Sequence, residues 1–418
     1  MFIRHLTCLA VGFCACATAA DLPLARSEQL VAGSLTQDQA VALALVSQPQ
    51  LAAGTAAVQA LRENAVAAGE LPDPRLSFGL QSLPLDTLNF TSIDMTQAML
   101  GVSQTLPGGD KRALNRSRVT READLGNADL AVTRRRIERE VRLAWLDLWL
   151  PTQAIGWLHR IGGEYEAKIE WGEVAYRAGK LGRDEILQWR ALRETVRDRE
   201  SELRLARARA QLQRWLGKSA QDEPAPDLPP PADLGGNPAD LIERHPELLR
   251  EQRSVELARA DVALAQEAYK PDWNLSLAYG ARGGGRPDLV SFQVDVDLPV
   301  FSAKRQDRRL AARLAEVNQA AEQQEDKHRM LRADLDTALA ERQLATERMR
   351  RFDQDILPLQ DSAEAAALAE YRSGKGAWSR VLDARRELLE TRLQWLAQRA
   401  AGARADVQLR YLIGGGHE

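Results

Sequence analysis

The clearest periodic pattern in the chain is a strict alternation of apolar and polar residues between positions 290 and 298. The apolar members are Val290, Phe292, Val294, Val296 and Leu298, and between them lie Ser291, Gln293, Asp295 and Asp297. A period of two places unlike side chains on opposite faces of a β-strand. One face is wholly apolar and the other carries two carboxylates, which suits lipid outside a barrel and water inside it. We therefore predict that Asp295 and Asp297 face a barrel lumen.

Similar but shorter alternations lie at residues 75–81 and 273–279, and residues 96–106 fit the pattern less regularly. Together these segments predict one strand pair at about residues 74–106 and a second at about 272–299. A soluble sandwich sheet would show the same alternation, so the strand pattern alone leaves a membrane and a soluble sheet open.

Most of the remaining chain has the composition and periodicity of long helices. Residues 36–69 and 238–269 predict a helix before each strand pair, and residues 111–217 and 303–412 predict a long helical hairpin after it. The first arm of the first hairpin, 111–177, would extend roughly 100 Å at about 1.5 Å per residue. Pro151 and Pro358 are expected to kink or interrupt the first arms.

The two halves of the chain repeat the same landmarks in the same order, which predicts an internal duplication. The first repeat covers residues 21–221 and the second covers 239–414, and a proline-rich connector at 222–238 joins them. Equivalent landmarks, written first repeat before second, are Gln48-Pro49 and His245-Pro246, Pro72-Asp73 and Pro271-Asp272, Pro107 and Pro299, Lys111-Arg112 and Lys304-Arg305, Tyr176-Arg177 and Tyr371-Arg372, Gly179-Lys180 and Gly374-Lys375, and Trp215-Leu216 and Tyr411-Leu412.

Four strands are too few to close a membrane barrel, because such barrels begin at about eight strands. No segment after residue 20 approaches the roughly twenty consecutive apolar residues of a spanning helix. If the protein spans a membrane, it therefore does so through strands that several chains contribute.

The N-terminus predicts export from the cytoplasm. Residues 1–20 read as a signal peptide with Arg4 before an apolar run, and cleavage is expected after Ala20. All three cysteines lie inside this segment, so the mature chain would have no thiol. Lipidation at Cys16 is the alternative to simple cleavage. The formal charge of -3 gives no basic field for nucleic acid.

No constellation of residues predicts catalysis or a cofactor. The histidines are scattered without metal-ligand spacing, and His245 is interpreted as the helix-start counterpart of Gln48. Met95 and Met99 offer thioethers suited to a soft cation, but packing is the preferred interpretation. We predict no enzyme activity, no cofactor and no resident metal.

These features together resemble the TolC-like outer-membrane efflux protein family over essentially the whole mature chain. The segments that carry the resemblance, 71–84, 94–96, 101–104 and 109–112, look most like its heavy-metal branch, the CzcC and CusC kind. The resemblance implies a mainly α protein with membrane β-structure: a homotrimer whose 12-stranded β-barrel, four strands per chain, lies in outer-membrane lipid. A long α-helical barrel would continue it through the periplasm. The implied partners are a periplasmic adaptor (membrane fusion protein) and an inner-membrane RND transporter.

The resemblance also implies roles for the two helix turns, as the periplasmic tip that docks the adaptor and forms the gate. In related channels, hydrogen bonds and ion pairs between the turns close the tip, and a carboxylate ring can line the aperture. Asp383 matches such a ring position, whereas Arg380 stands where a second acid is often found. The tip residues carried over are Tyr176, Gly179, Lys180, Asp184, Glu185, Tyr371, Gly374, Lys375, Arg380 and Asp383.

The function expected at this point is a passive exit duct for heavy-metal cations. Two alternatives remain: the same architecture serving drug efflux or type I secretion, and a soluble periplasmic coiled-coil scaffold.

Overall fold

A computed structural model describes residues 35–202, 205–217, 224–225, 227–232, 237, 240 and 242–413. The predicted signal peptide, with Ala20 and Cys16, lies outside the described residues. The helices are α1 Gln37–Ser47, α2 Pro49–Gly69, α3 Lys111–Arg177, α4 Arg183–Glu202, α5 Leu205–Leu216, α6 Pro246–Glu267, α7 Gln306–Arg351, α8 Leu357–Arg372 and α9 Trp378–Ile413. The strands are β1 Arg75–Gln81, β2 Gln97–Leu106, β3 Trp273–Arg282 and β4 Leu289–Val296.

The helix predicted at 36–69 forms as two helices, because Gln48 adopts an extended conformation before Pro49. A residue that precedes proline is disfavoured in the helical region. Thr36 begins α1 with a capping box in which its hydroxyl and the Gln39 side chain each bond the other residue's backbone N–H. In the second repeat, Asp240 and Ile242 are helical and α6 begins directly after His245, which is extended, so the predicted helix is interrupted at the equivalent position.

The four strands form one antiparallel sheet in the order β1-β2-β3-β4, so the two repeats join through the β2–β3 pair. The register aligns exposed apolar side chains in rows across all four strands. One row is Leu76, Val102, Leu277 and Phe292, and the next is Phe78, Leu100, Tyr279 and Val290. The opposite face carries small and polar residues, as in the row Ser77, Gly101, Ala278 and Ser291. The predicted difference between the two faces is confirmed.

The strands of the first pair lie where the alternations predicted them, at Arg75–Gln81 and Gln97–Leu106, and residues 82–96 form a long connection between them. Met95 lies in this connection and Met99 lies in β2, so the two thioethers do not share one strand. Both hairpin connections lie at the end of the sheet away from the helices. Arg286 joins them through an ion pair to Asp94 at 2.6 Å.

The helices lie side by side in the same order as the strands to which they connect. Near the sheet α2 packs on α3, α3 on α6, and α6 on α7; farther away α4 packs on α3, α3 on α9, and α9 on α8. Helix α3 continues through Pro151 for 67 residues without the predicted interruption. Buried Trp149 and Ala154 flank the proline, and packing on both sides outweighs one lost hydrogen bond. In the second repeat the interruption expected at Pro358 takes the form of a π-helical turn at Phe352–Ile356, directly before α8.

The main core lies midway along the helices, where the two repeats meet. Trp145 and Trp149 of α3 stack with ring centroids 6.5 Å apart and are almost fully buried. The Trp145 indole N–H donates to the carbonyl oxygen of Leu35 at 2.8 Å. Leu35 in turn pairs with Pro224 of the connector. Within the described residues no single helix has the length and apolarity to cross a bilayer, although the bent pair α1 and α2 passes that test together.

Candidate functional site

The two helix turns at residues 178–182 and 373–377 begin with the same hydrogen-bonding motif. The Gly179 N–H donates to the Tyr176 carbonyl and the Lys180 N–H to the Ala175 carbonyl, both at 2.9 Å. In the second turn the Gly374 N–H donates to Tyr371 and the Lys375 N–H to Glu370, both at 3.0 Å. This is the Schellman motif, in which the residue after the cap takes a positive φ.

Both glycines are required by that geometry. Gly179 has φ +69° and Gly374 has φ +75°, a left-handed conformation that side chains disfavour. The repeated Tyr-Arg-x-Gly-Lys sequence is therefore explained by the way in which the helix ends. It does not by itself require a role in gating.

Beyond the glycines the two turns differ. Asp184 and Glu185 lie in the first turn of α4, where acidic side chains interact favourably with the helix dipole. Within the described part of the chain, Asp184, Glu185, Lys180 and Lys375 are exposed and form no ion pair. The expected bonds among these residues are not made inside one chain, and their gating role stays a prediction.

Aromatic and ionic contacts stabilise the second turn, at residues 373–377. The rings of Tyr371 and Trp378 lie 4.9 Å apart across the turn. Arg380 forms an ion pair with Glu370 at 3.2 Å. This ion pair joins the start of α9 to the end of α8 across the turn.

Near the turns, an ion pair between Lys168 of α3 and Asp383 of α9 links the two repeats. The lysine side chain is only 6% exposed, whereas that of Asp383 is 52% exposed. The ammonium also lies 4.7 Å from the ring centroid of Trp189 in α4, a cation–π geometry. Lys168 therefore connects three helices.

Gly172, one helical turn after Lys168, lets Trp189 approach α3. A Cβ at this position would lie 2.5 Å from the Trp189 ring. Next to it, Arg385 of α9 forms ion pairs with Glu364 of α8 at 2.8 Å and Glu164 of α3 at 3.8 Å. Burial raises the pKa of Glu164, although the charge of Arg385 opposes the shift.

Among the predicted tip residues, Asp383 takes part in a contact between the two repeats, its ion pair with Lys168. The sequence analysis did not identify Lys168. The signal was present: Leu158, Ile161, Tyr165 and Gly172 form a buried stripe on α3, and Lys168 interrupts it. A lone cation in an apolar stripe predicts an anionic partner on a neighbouring helix.

The two carboxylates predicted for the lumen lie at the end of β4 nearest the helices. Asp295 is exposed on the polar face and accepts a hydrogen bond from Gln293 at 2.7 Å. Asp297 lies just beyond β4, and its N–H donates to the Asp272 carbonyl at 3.1 Å. Among the described residues there is no group of three or more His, Cys, Asp or Glu side chains placed to bind a metal ion.

The sequence profile of the outer membrane efflux protein family matches residues 40–218 and again residues 237–415. The chain belongs to this family. The two matches coincide with the two repeats, so the predicted duplication is a property of the family profile as well. Family membership assigns the protein to the outer membrane, with its helical barrel in the periplasm.

The names of individual relatives indicate different functions. The cobalt-zinc-cadmium resistance protein CzcC of Cupriavidus metallidurans is 24% identical, over 87% of this chain and 86% of that protein. The toluene efflux pump outer membrane protein TtgF of Pseudomonas putida is 27% identical over 60% of this chain, which spans only 55% of TtgF. Among solved structures, CusC superimposes with a TM-score of 0.75 at 18% identity, covering 91% of this chain and 92% of CusC. That likeness confirms the predicted fold class.

Proposed function

We propose that three copies of this chain form a passive exit duct through the outer membrane, the last component of a tripartite efflux system. The observation that carries the proposal is the sheet, whose exposed apolar rows cover one face while small and polar residues cover the other. An exposed apolar face of this extent is stable in lipid and unstable in water.

The open sheet edges support the number of copies. β1 and β4 each have one unpaired edge, and unpaired strand edges inside a bilayer leave polar backbone groups without partners. Three sheets of four strands close a twelve-stranded barrel. Because each helix neighbours the helix that continues the adjacent strand, the same closure produces a helical barrel below it.

Heavy-metal cations are the proposed cargo. The support is the similarity to CzcC over most of both chains. TtgF and its toluene efflux favour organic compounds instead, so drug or solvent efflux is the second candidate. Energy and selection would come from an RND transporter of the inner membrane, with a periplasmic adaptor docked on the turns at residues 178–182 and 373–377.

Growth of a deletion strain on copper, zinc, cobalt, cadmium and nickel salts, beside solvents and antibiotics, tests the cargo. Increased sensitivity to a subset of metals, restored by the gene on a plasmid, is the expected result. Sensitivity to organic compounds alone would refute the metal assignment. Single-channel conductance of the purified protein in planar bilayers tests the duct itself, and material that dissolves as a monomer without detergent would refute it.

A further inference from the structure

We propose that neighbouring copies join through a seam that repeats the contact between the two halves of one chain. In this seam Asp297 lies opposite Arg75 of the neighbouring copy, and Lys304 pairs with the neighbour's Asp73. The inference rests on the proposed trimer and adds its register and its charge pairs.

The template is the seam inside the chain, where β2 and the start of α3 meet the end of α6 and β3. Lys111 forms an ion pair with Asp272 at 2.8 Å and donates a second bond to the Lys270 carbonyl at 2.6 Å. The Gly108 N–H donates to the same Asp272 carboxylate at 2.7 Å. One lysine and one aspartate thus join strand and helix of the two repeats.

The repeat supplies equivalents for both sides of this template. Lys304 is equivalent to Lys111, and Asp73 is equivalent to Asp272. Within one chain these two residues are at opposite edges of the sheet, after β4 and before β1. Both are exposed, and in the described chain neither side chain has a hydrogen-bond or ion-pair partner. In a ring of copies, Lys304 of one chain and Asp73 of the next would therefore lie on the two sides of the same seam.

The register of β2 on β3 inside the chain also predicts the register of β4 on β1 of the neighbouring copy. In the chain, Thr105 of β2 lies opposite Asn274 of β3, and Ser103 lies opposite Ser276. The repeat equivalents of these pairs are Asp297 with Arg75 and Asp295 with Ser77. A neutral pair inside the chain therefore becomes a pair of opposite charges between chains. Directly opposed charges of unlike sign stabilise antiparallel strands.

Arg75 and Asp297 are also exposed, and their side chains have no partner within the described residues. The register follows from the β2–β3 pair and the repeat landmarks alone, and neither depends on the charges of Arg75 and Asp297. The transferred register contains two complementary charge pairs, and the pair Arg75–Asp297 is independent of the landmarks that define the repeat. A shift of the register by two residues would place Asp297 opposite Ser77 and remove one of them.

Beside these charges the seam between copies must differ from the seam inside the chain. Val300 and Phe301 follow β4 and are each 70% exposed. Their equivalents in the first repeat are Gly108 and Gly109, where a Cβ would lie 1.9 Å from the Pro271 carbonyl oxygen and 2.0 Å from the Glu267 carboxylate. Val300 and Phe301 therefore cannot approach the neighbouring copy as closely as these glycines approach α6. Across the seam, Val300 and Phe301 face the segment between α2 and β1 of the next copy, where Leu71 is 41% exposed.

Disulfide trapping tests the register. The variant S77C/D295C places two thiols directly opposite each other across the proposed seam, and S77C/Q293C is the control on the same face two residues away. In one chain Ser77 and Asp295 lie on the outer strands, at least about 14 Å apart at the usual strand spacing, which is too far for a disulfide. All three native cysteines precede residue 21.

Mild oxidation should convert S77C/D295C to covalent trimers on denaturing gels and S77C/Q293C far less. Equal or stronger trapping of the control would overturn the register while leaving the trimer intact. Failure of the unmodified protein to form trimers would instead refute the proposed function, so the two failures are distinguishable.

Charge exchange tests the pairs. R75E and D297R should each lower the temperature at which the trimer dissociates in detergent, and the double variant R75E/D297R should restore it. D73K and K304E, with their double variant, form a second series. Additive losses in either double variant would overturn the corresponding pair.

Discussion

The imidazole of His245 donates a hydrogen bond from Nε2 to the carbonyl oxygen of Tyr411 at 3.1 Å. Its Nδ1 accepts the Glu247 backbone N–H at 3.2 Å, so the ring is neutral and caps α6. In the first repeat the Gln48 amide donates to the carbonyl of Trp215 at 2.7 Å. In each repeat, the side chain before the helix start therefore bonds to a backbone carbonyl near the end of the last helix of that repeat.

This cap should make stability depend on pH. Burial lowers the pKa of His245, against the opposing charge of Glu247. A histidine whose pKa is lowered by folding contributes stability above its unfolded value of about 6.5, and the contribution is lost as the pH falls below it. We expect the unfolding temperature to drop more between pH 7.5 and 5.5 in the native protein than in H245Q, which keeps the hydrogen bond to Tyr411. Equal drops would contradict the assignment.

The turn glycines should resist substitution. G179A and G374A force alanine into a left-handed conformation, and each should lower the free energy of unfolding by about 1–2 kcal/mol. G163A is the control, because Gly163 lies inside α3 and an added Cβ would meet nothing within 4 Å. It should be neutral or stabilising by up to about 1 kcal/mol. Chemical denaturation followed by circular dichroism measures both, and equal effects would argue against the cap.

The ion pair between Lys168 and Asp383 should respond unequally to the loss of each partner. D383N leaves the buried ammonium without its counter-charge and should destabilise the region around the turns by about 1–3 kcal/mol. K168M leaves a half-exposed carboxylate that water can solvate, so its cost should be smaller. Limited proteolysis at the turns and thermal unfolding report the order. A larger loss in K168M would show that burial of the lysine is not the controlling factor.

The two faces of β4 should differ in their tolerance of charge. Phe292 is 68% exposed on the apolar face, and Ser291 lies on the other. F292K should cost about 2–4 kcal/mol of folding free energy if the residue lies near the bilayer centre, whereas S291K should cost little. The yield of heat-modifiable trimer in outer-membrane fractions gives the comparison. Similar yields would refute the assignment of the faces.

The repeat and the strand faces were predictable because both leave periodic marks in the sequence. Phe292 and Val294 alternate with polar residues, and Pro49 and Pro246 mark equivalent helix starts. The pair Lys168–Asp383 was not predictable as a pair, since the residues are far apart in sequence and only packing of α3 on α9 joins them. The interruption expected at Pro151 does not occur, because tertiary packing on both sides overrides its local tendency to break a helix.

The duplication has a consequence for assembly. A closed ring of three chains contains six junctions of nearly the same kind, and the polypeptide itself has already made three of them. Loss of translational and rotational freedom therefore opposes only the other three, which lowers the concentration at which newly exported chains can complete the ring.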